Sequence, residues 1–227
     1  MQTNLINPLG PRLVLASRSP RRIELLTLVG ARFVTFPVDV DERAEPGERA
    51  EAHVLRLAEA KAREALRRDA PQAAGTGVAS ASGGTRAQGH DVPGEPVYVG
   101  ADTVVAIDRE ILGKPSGADE AVRMLERLSG RIHEVWTGLF LIEAGERRSV
   151  GGALRSIVKF SRLEGEDVRR YVATGEPLDK AGAYAVQGYG ALFVEAIEGS
   201  YSNVVGLPLS YLKHLLGTLR QVPDGGA

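Results

Sequence analysis

Apolar residues fall along this chain in short β-branched runs and in helix-spaced stripes that alternate, which predicts alternating strands and helices. Leu13 to Ser17 reads as a strand and Ser19 to about Val29 as a helix. Ser19 and Pro20 mark its start, since a serine hydroxyl can accept from the free N–H groups of a first turn and proline is tolerated at the first helical position. A second strand is expected at Arg32 to Phe36, followed by the acidic loop Asp39-Val40-Asp41-Glu42. Leu55, Ala58, Ala62 and Ala65 recur at helical spacing within the segment Glu48 to Asp69, so a second helix belongs there. A β-α-β-α opening points to an α/β sheet with flanking helices.

Between Ala70 and Glu95 the character changes to Gly and Ala, with Val78 and Val92 as the larger aliphatics. Such a stretch buries too little apolar surface to offset its ordering entropy, and it reads as a mobile surface loop. Val97 to Ile107 is a β-branched run expected to form a buried strand. A helix at about Ala118 to Leu128 follows, then two antiparallel strands, His133 to Ile142 and Ser149 to Phe160. Another helix, Glu164 to Ala173, leads into a Gly-rich polar segment from Asp179 to Gly190, a strand at Leu192 to Ile197 and a last helix after Pro208. With no internal repeat and no linker that divides the core, one domain over 1–227 is the expectation.

Composition narrows the classes. Lys and Arg (28) nearly balance Asp and Glu (29) for a net charge of −1, which removes the electrostatic footprint of a nucleic-acid-coating protein. Any anion must be met by a local cluster. The absence of cysteine excludes disulfides, thiolate metal sites and thiol nucleophiles. No run of about 18 apolar residues occurs and MQTNLINPLGPR lacks the basic-then-apolar form of a secretory signal, so a cytoplasmic protein with no membrane partner is expected.

Several residues are out of place against this pattern. Arg21 and Arg22 stand in the first turn of a helix, where the dipole is positive and cations are disfavoured unless an anion lies between them. Free N–H groups, serine hydroxyls and arginine forks suit a phosphate; two arginines pointing into water would cost only tenths of a kcal/mol and explain them equally. Asp102 interrupts an apolar strand, and a buried carboxylate costs several kcal/mol without a cation or metal beside it. A structural ion pair would satisfy it as well as a functional one. Gly100, two residues earlier, leaves room for a ligand to approach the backbone. Lys61 lies four residues after Leu57 at the edge of an apolar stripe, and Lys114 sits in the turn Gly113-Lys114-Pro115. Lys61 either snorkels or serves a site that needs a fixed cation. The acidic loop is either a solvated edge or a source of a second carboxylate for Mg²⁺, which commonly takes one or two carboxylates plus substrate phosphates. The four histidines have no ligand spacing and no GxSxG elbow is present. The inventory fits polyphosphate chemistry, in which catalysis is mostly positioning and charge neutralisation.

At these same residues the chain resembles the Maf nucleotide pyrophosphatase family, also called septum formation inhibitor proteins. The resemblance runs from Leu13 to about Leu216 and rests on ordered motifs: Leu15-Ala16-Ser17-Arg18-Ser19-Pro20-Arg21-Arg22, Ala58-Glu59-Ala60-Lys61-Ala62, Gly100-Ala101-Asp102-Thr103-Val104-Val105 and Gly113-Lys114-Pro115. Further on stand Ser129-Gly130-Arg131-Ile132-His133, Asp179-Lys180-Ala181-Gly182-Ala183-Tyr184 and Gly199-Ser200-Tyr201-Ser202-Asn203-Val204-Val205-Gly206-Leu207-Pro208. It implies a mixed-sheet α/β fold with two lobes around a cleft, similar to the inosine-triphosphate pyrophosphatase fold, and hydrolysis of a nucleoside triphosphate to monophosphate and pyrophosphate with a divalent metal, Mg²⁺ or Mn²⁺.

By that resemblance Asp102 is the proton acceptor, Glu42 joins it at the metal or water, and Ser17, Ser19, Arg22, Lys61 and Lys114 hold the triphosphate. Arg21, Thr103 and Gln187 resemble the markers of a dTTP/UTP branch, and a Gln amide offers both a donor and an acceptor to a pyrimidine edge. The alternatives are a non-catalytic nucleotide-binding regulator of cell division, or a pyrophosphatase for 7-methyl-GTP or non-standard purines. The resemblance also allows a homodimer, although no apolar patch in the sequence demands one. Two features depart from the family pattern: an apparent insertion at about Ala73 to Gly94, and Arg18 where a small residue is expected.

Overall fold

A computed structural model describes residues 12–74 and 95–222. The apparent insertion, beyond its first two residues, lies outside them. The strands are β1 (Leu13–Leu15), β2 (Phe33–Thr35), β3 (Val97–Ile107), β4 (Glu110–Leu112), β5 (Ile132–Glu143), β6 (Ser149–Phe160) and β7 (Val194–Glu198). The helices are α1 (Pro20–Leu28), α2 (Ala50–Ala74), α3 (Ala118–Leu128), α4 (Gly165–Ala173), α5 (Tyr201–Val205) and α6 (Leu209–Leu219). All seven strands form one mixed sheet in the order β2-β1-β3-β5-β6-β7, with β4 paired to part of β3. β1 runs parallel to β2 and β3, and the remaining pairings are antiparallel.

Strand alternation sorts the core onto two faces. Leu13, Leu15, Val97, Val99, Ala101, Leu139 and Leu141 meet α1 and α6 through Leu25, Leu26, Leu212 and Leu216. Val14, Tyr98, Phe140 and Ile142 point the other way, onto Ala58, Ala62, Ala65 and Leu66 of α2. Covered on both faces, β3 is apolar almost without interruption. A third cluster forms further along the same strands, where Val105, Ile107, Val135, Val158 and Phe160 pack with α3 and α4. The fold therefore has two packed lobes threaded by shared long strands. Asp102 and Thr103 lie on β3 between Ala101 of the first lobe and Val105 of the second.

The seating of α2 is set by glycine. A Cβ at Gly100 would lie 1.9 Å from the Ala58 carbonyl oxygen, and one at Gly138 would lie 2.2 Å from that of Val54. The space at Gly100, which the sequence offers to a ligand, is filled by the backbone of α2. Asp102 and Gly138 are direct partners in the β3–β5 ladder, so the helix comes nearest to the sheet beside the buried carboxylate.

Three elements depart from expectation. α2 extends to Ala74, beyond the loop start expected at Ala70. The hairpin to β4 is unexpected because its two central residues, Asp108 and Arg109, hold positive φ angles of 54° and 66°; that turn normally advertises itself with Asn-Gly or Asp-Gly. The short α5 is a helix of five residues, too brief for periodicity to show, and is capped by the Ser200 hydroxyl accepting from Asn203 N–H.

Gly100→Ala should destabilise the protein by about 3 kcal/mol in urea unfolding, because helix backbone has no rotamer with which to yield. Gly217→Ala on α6, where an added Cβ meets nothing within 4 Å, should leave stability unchanged or raise it by up to about 1 kcal/mol.

Candidate active site

Lys61 projects from the buried stripe of α2 and is only 7% exposed. Its ammonium does not snorkel to water. It donates to Asp102 Oδ1 at 2.7 Å and lies 2.6 Å from Glu42 Oε1. Asp102 is buried and Glu42 half exposed, so one carboxylate is fixed in the sheet and the other comes from the loop before α2. Burial works to raise the Glu42 pKa, but the Lys61 hydrogen bond and charge, followed by Lys114 and Arg22, hold it below its ordinary value. Lys114 is exposed and forms no ion pair among the described residues. Its turn is tied to the second lobe by Gly182 N–H donating to Gly113 O at 3.0 Å.

Arg22 crosses to the opposite side of β3. Its Nε donates to Gly206 O at 2.8 Å, Nη1 to Ser17 Oγ and Ala101 O at 3.0 Å each, and Nη2 to Thr103 Oγ1 at 3.1 Å. Burial lowers its pKa and the Asp102 charge opposes that. Four of its five N–H donors are thus committed to the protein, and the guanidinium ties β1, β3 and the Gly206 turn together. Ser17 Oγ also accepts from Ser19 N–H at 3.2 Å, which leaves its own proton to offer. Ser19 occupies the N-cap position of α1, yet its side chain makes no capping bond. The first-turn N–H groups are therefore not closed off in the way the sequence suggests. Thr103 Oγ1 pairs with Thr137 Oγ1 at 2.9 Å and so sits with Arg22, on the strand face away from Asp102.

Arg21 and Gln187 meet elsewhere. An open pocket of about 250 Å³ is lined by Pro20, Arg21, Glu176, Asp179, Lys180, Ala185, Gln187 and Gly188, with α1 on one side and the segment after α4 on the other. Burial lowers the Arg21 pKa while Asp179 and Glu24 raise it. Thr103 does not line this pocket, so the three residues read together in the sequence are divided between two places. Glu176 is polar lining that the sequence did not single out, while Asp179 and Lys180 belong to the motif Asp179-Lys180-Ala181-Gly182-Ala183-Tyr184, which carried no assigned role.

The loop carrying Glu42 is tethered at both ends. Arg18 makes a two-bond fork to Asp39 at 2.9 and 3.1 Å, so the charge at this unusual position is paired across to the acidic loop. At the other end Arg56 donates to both oxygens of Glu48 at 2.7 Å and to Arg43 O at 3.1 Å, while His53 Nδ1 lies 2.8 Å from Glu48 Oε2. Glu48 reads as an ordinary surface acid in sequence, and only the return of the loop onto α2 gives it this role.

The fold and site define an α/β protein whose lobe junction gathers two carboxylates on one fixed ammonium, with an uncapped serine at the start of α1 and a polar pocket lined from that helix. The Maf-like protein family model matches residues 12–219, and the chain belongs to that family. A dTTP/UTP pyrophosphatase of Geotalea uraniireducens is 46% identical, with 87% of this chain and 89% of the relative covered. One from Anaeromyxobacter dehalogenans is 44% identical over 92% of this chain and 94% of its own length. A solved nucleoside-triphosphatase, a dITP/XTP pyrophosphatase from Mycobacterium abscessus, is 17% identical at a TM-score of 0.36, over 67% of this chain and 75% of that one.

The Glu48 network carries a pH signature. The Arg56 hydrogen bond, against some opposing burial, holds the Glu48 carboxyl down to about 2. A folded-state pKa below the unfolded value gives stability that is full above the unfolded pKa of roughly 4.3 and is lost as pH falls toward about 2. Wild type should therefore exceed Glu48→Gln in urea stability at pH 7 by a margin that narrows through pH 4 and 3. A margin constant over that range would contradict the assignment.

Proposed function

We propose that this protein is a nucleoside triphosphate pyrophosphatase that converts dTTP and UTP to the monophosphate and pyrophosphate. The observation that carries the proposal is Lys61 held between Asp102 and Glu42 at the lobe junction, in a chain 40 to 47% identical to relatives named for that activity. Asp102 accepts a proton from the water that attacks the α-phosphorus, a bond forms between that water oxygen and phosphorus, and the bridging oxygen departs with pyrophosphate. The Lys61 ammonium, 2.7 Å from Asp102 Oδ1, orients the carboxylate where the proton is to be taken. Lys61, Lys114, the Ser17 hydroxyl and the first-turn N–H groups of α1 meet the phosphate oxygens, a positive end for a polyanion. Arg22 fixes Ser17 and adds one remaining N–H.

A divalent cation, Mg²⁺ or Mn²⁺, belongs to this reading. Glu42 and Asp102 are the oxygen donors that would hold it, and the fit is a chemical one: two carboxylates converge on one ammonium and leave a net negative charge, the donor set of an ion that takes one or two carboxylates plus substrate phosphates. Such an ion supplies charge neutralisation on the phosphate oxygens when bound. Among the described residues no cluster of three or more His, Cys, Asp and Glu is placed to hold a metal; in this reading substrate phosphate oxygens would join Glu42 and Asp102 in holding the ion. Gln187, exposed at the rim of the pocket with Arg21, presents an amide donor and acceptor to the base. The cytoplasm, which holds the free nucleoside triphosphates, is the compartment inferred; among the described residues no helix is long and apolar enough to cross a membrane.

Pyrophosphate release from a panel of nucleoside triphosphates with Mg²⁺ or Mn²⁺ tests the chemistry. Turnover of UTP and dTTP should fall by about a thousandfold or more in Asp102→Asn with circular dichroism unchanged, and should stop on chelation. Undiminished turnover in the variant would remove Asp102 from its role, and turnover that survives chelation would remove the cation. Gln187→Ala should lower the ratio of kcat/KM for UTP over GTP by about tenfold. An unchanged ratio would place base recognition elsewhere.

A further inference from the structure

Glu176 stands in a 3₁₀ turn, Glu176–Asp179, that follows Gly175 in the left-handed region at φ 77°. Its carboxylate faces the loop that carries Gln187. Oε1 accepts from the Tyr171 hydroxyl at 2.8 Å and from Gly190 N–H at 3.2 Å, and Oε2 accepts from Tyr189 N–H at 3.0 Å. The Tyr171 oxygen in turn accepts from Ala185 N–H at 3.1 Å. Three backbone donors, two residues before Gln187 and two and three residues after it, are thereby held by one carboxylate–phenol pair. A charged acceptor makes such bonds stronger than a neutral one. Burial, followed by the Glu176 hydrogen bond, raises the Tyr171 pKa, so its proton stays in place to donate.

The fit leaves no slack. A Cβ at Gly188 would lie 2.1 Å from Glu176 Oε2, and one at Gly190 would lie 2.6 Å from Ala185 O and 2.8 Å from the Tyr171 hydroxyl. The arc from Ala185 to Gly190 is wrapped on the carboxylate, and Gln187 is its exposed crest. Arg21 faces the same pocket from α1.

We propose that Glu176 is the positioning residue for base selectivity: by holding the N–H groups on both sides of Gln187, it fixes where the amide meets the nucleotide base. Glu176 acts through Gln187 and has no part in the attack on phosphorus. The inference rests on the assignment of Gln187 to the base made above.

The test is steady-state pyrophosphate release from UTP, dTTP, GTP and ATP by wild type, Gln187→Ala, Glu176→Gln and Tyr171→Phe. Glu176→Gln turns an amide N–H₂ toward groups that are themselves donors. It should raise KM for UTP and dTTP about tenfold, with the loss falling on KM rather than kcat, and lower the UTP-to-GTP ratio of kcat/KM by a similar factor. Tyr171→Phe deletes one hydroxyl and should move the same ratio in the same direction by a smaller factor, which keeps the proposal open to refutation if Glu176→Gln misfolds. Unchanged selectivity in folded Glu176→Gln, or in Tyr171→Phe alone should the former misfold, would overturn it. So would an equal loss for all four nucleotides, which marks a general structural role. If Gln187→Ala itself keeps full selectivity, or wild type does not prefer UTP and dTTP, the underlying base assignment has failed and the inference falls with it; if Gln187→Ala loses selectivity and the Glu176 and Tyr171 variants keep it, the inference alone has failed.

Discussion

An ammonium group enclosed where a helix packs directly onto a sheet cannot be hydrated, and it is tolerable only against carboxylates held at hydrogen-bond distance. Lys61 is in that position, with Asp102 supplied by the sheet and Glu42 by a loop. Much of the architecture around it maintains this contact. Gly100 and Gly138 let α2 come close enough for Lys61 to reach Asp102. Glu48 and Arg56 return the loop to α2 so that Glu42 arrives at the same ammonium. Remove either carboxylate and a buried charge is left partly uncompensated, which makes the trio a single electrostatic unit rather than three independent side chains.

The opposite face of β3 is organised by a second cation with a different task. Arg22 spends its donors on Ser17, Ala101, Thr103 and Gly206, and Asn203 below it donates to Val135 O and Ser156 Oγ at 3.0 Å each. These bonds lock the β1–α1 loop, the middle of β3 and the α5–α6 turn into one rigid frame. A polyanion site needs such preorganisation, because donors that must first be oriented contribute less to the transition state. The pocket lined by Arg21 and Gln187 lies outside this frame, between α1 and the turns after α4, and the arc that carries Gln187 is held by the separate Glu176 network.

Much of this was legible in sequence where a residue contradicts its own local setting. A carboxylate in a β-branched strand and a lysine on an apolar stripe each announce an unmet electrostatic need. The partners that meet those needs were named as candidates, and the structure brings Lys61, Asp102 and Glu42 to one point. Where the residue suits its setting, the signal vanishes. Glu48 and Glu176 look like solvated acids among other acids, and Asp108-Arg109 gives no hint of a tight hairpin. Gly100 and Ser19 misled in the opposite sense, since open space at a strand glycine and a serine at a helix start have ordinary roles that the packing here does not use.

By itself the sequence determined most of the alternation of strands and helices, the burial of β3 and a short set of charged residues whose local setting is costly unless a partner meets them. These follow from periodicity and from the cost of burying charge, both of which are local. The tertiary structure alone decided which cation each carboxylate meets, that Arg22 braces the frame while Lys61 joins the carboxylates, and that Thr103 and Gln187 belong to different places. Those outcomes depend on contacts between residues dozens of positions apart, whose distances are set by how closely α2 rests on two glycines and by how the second lobe folds back toward α1.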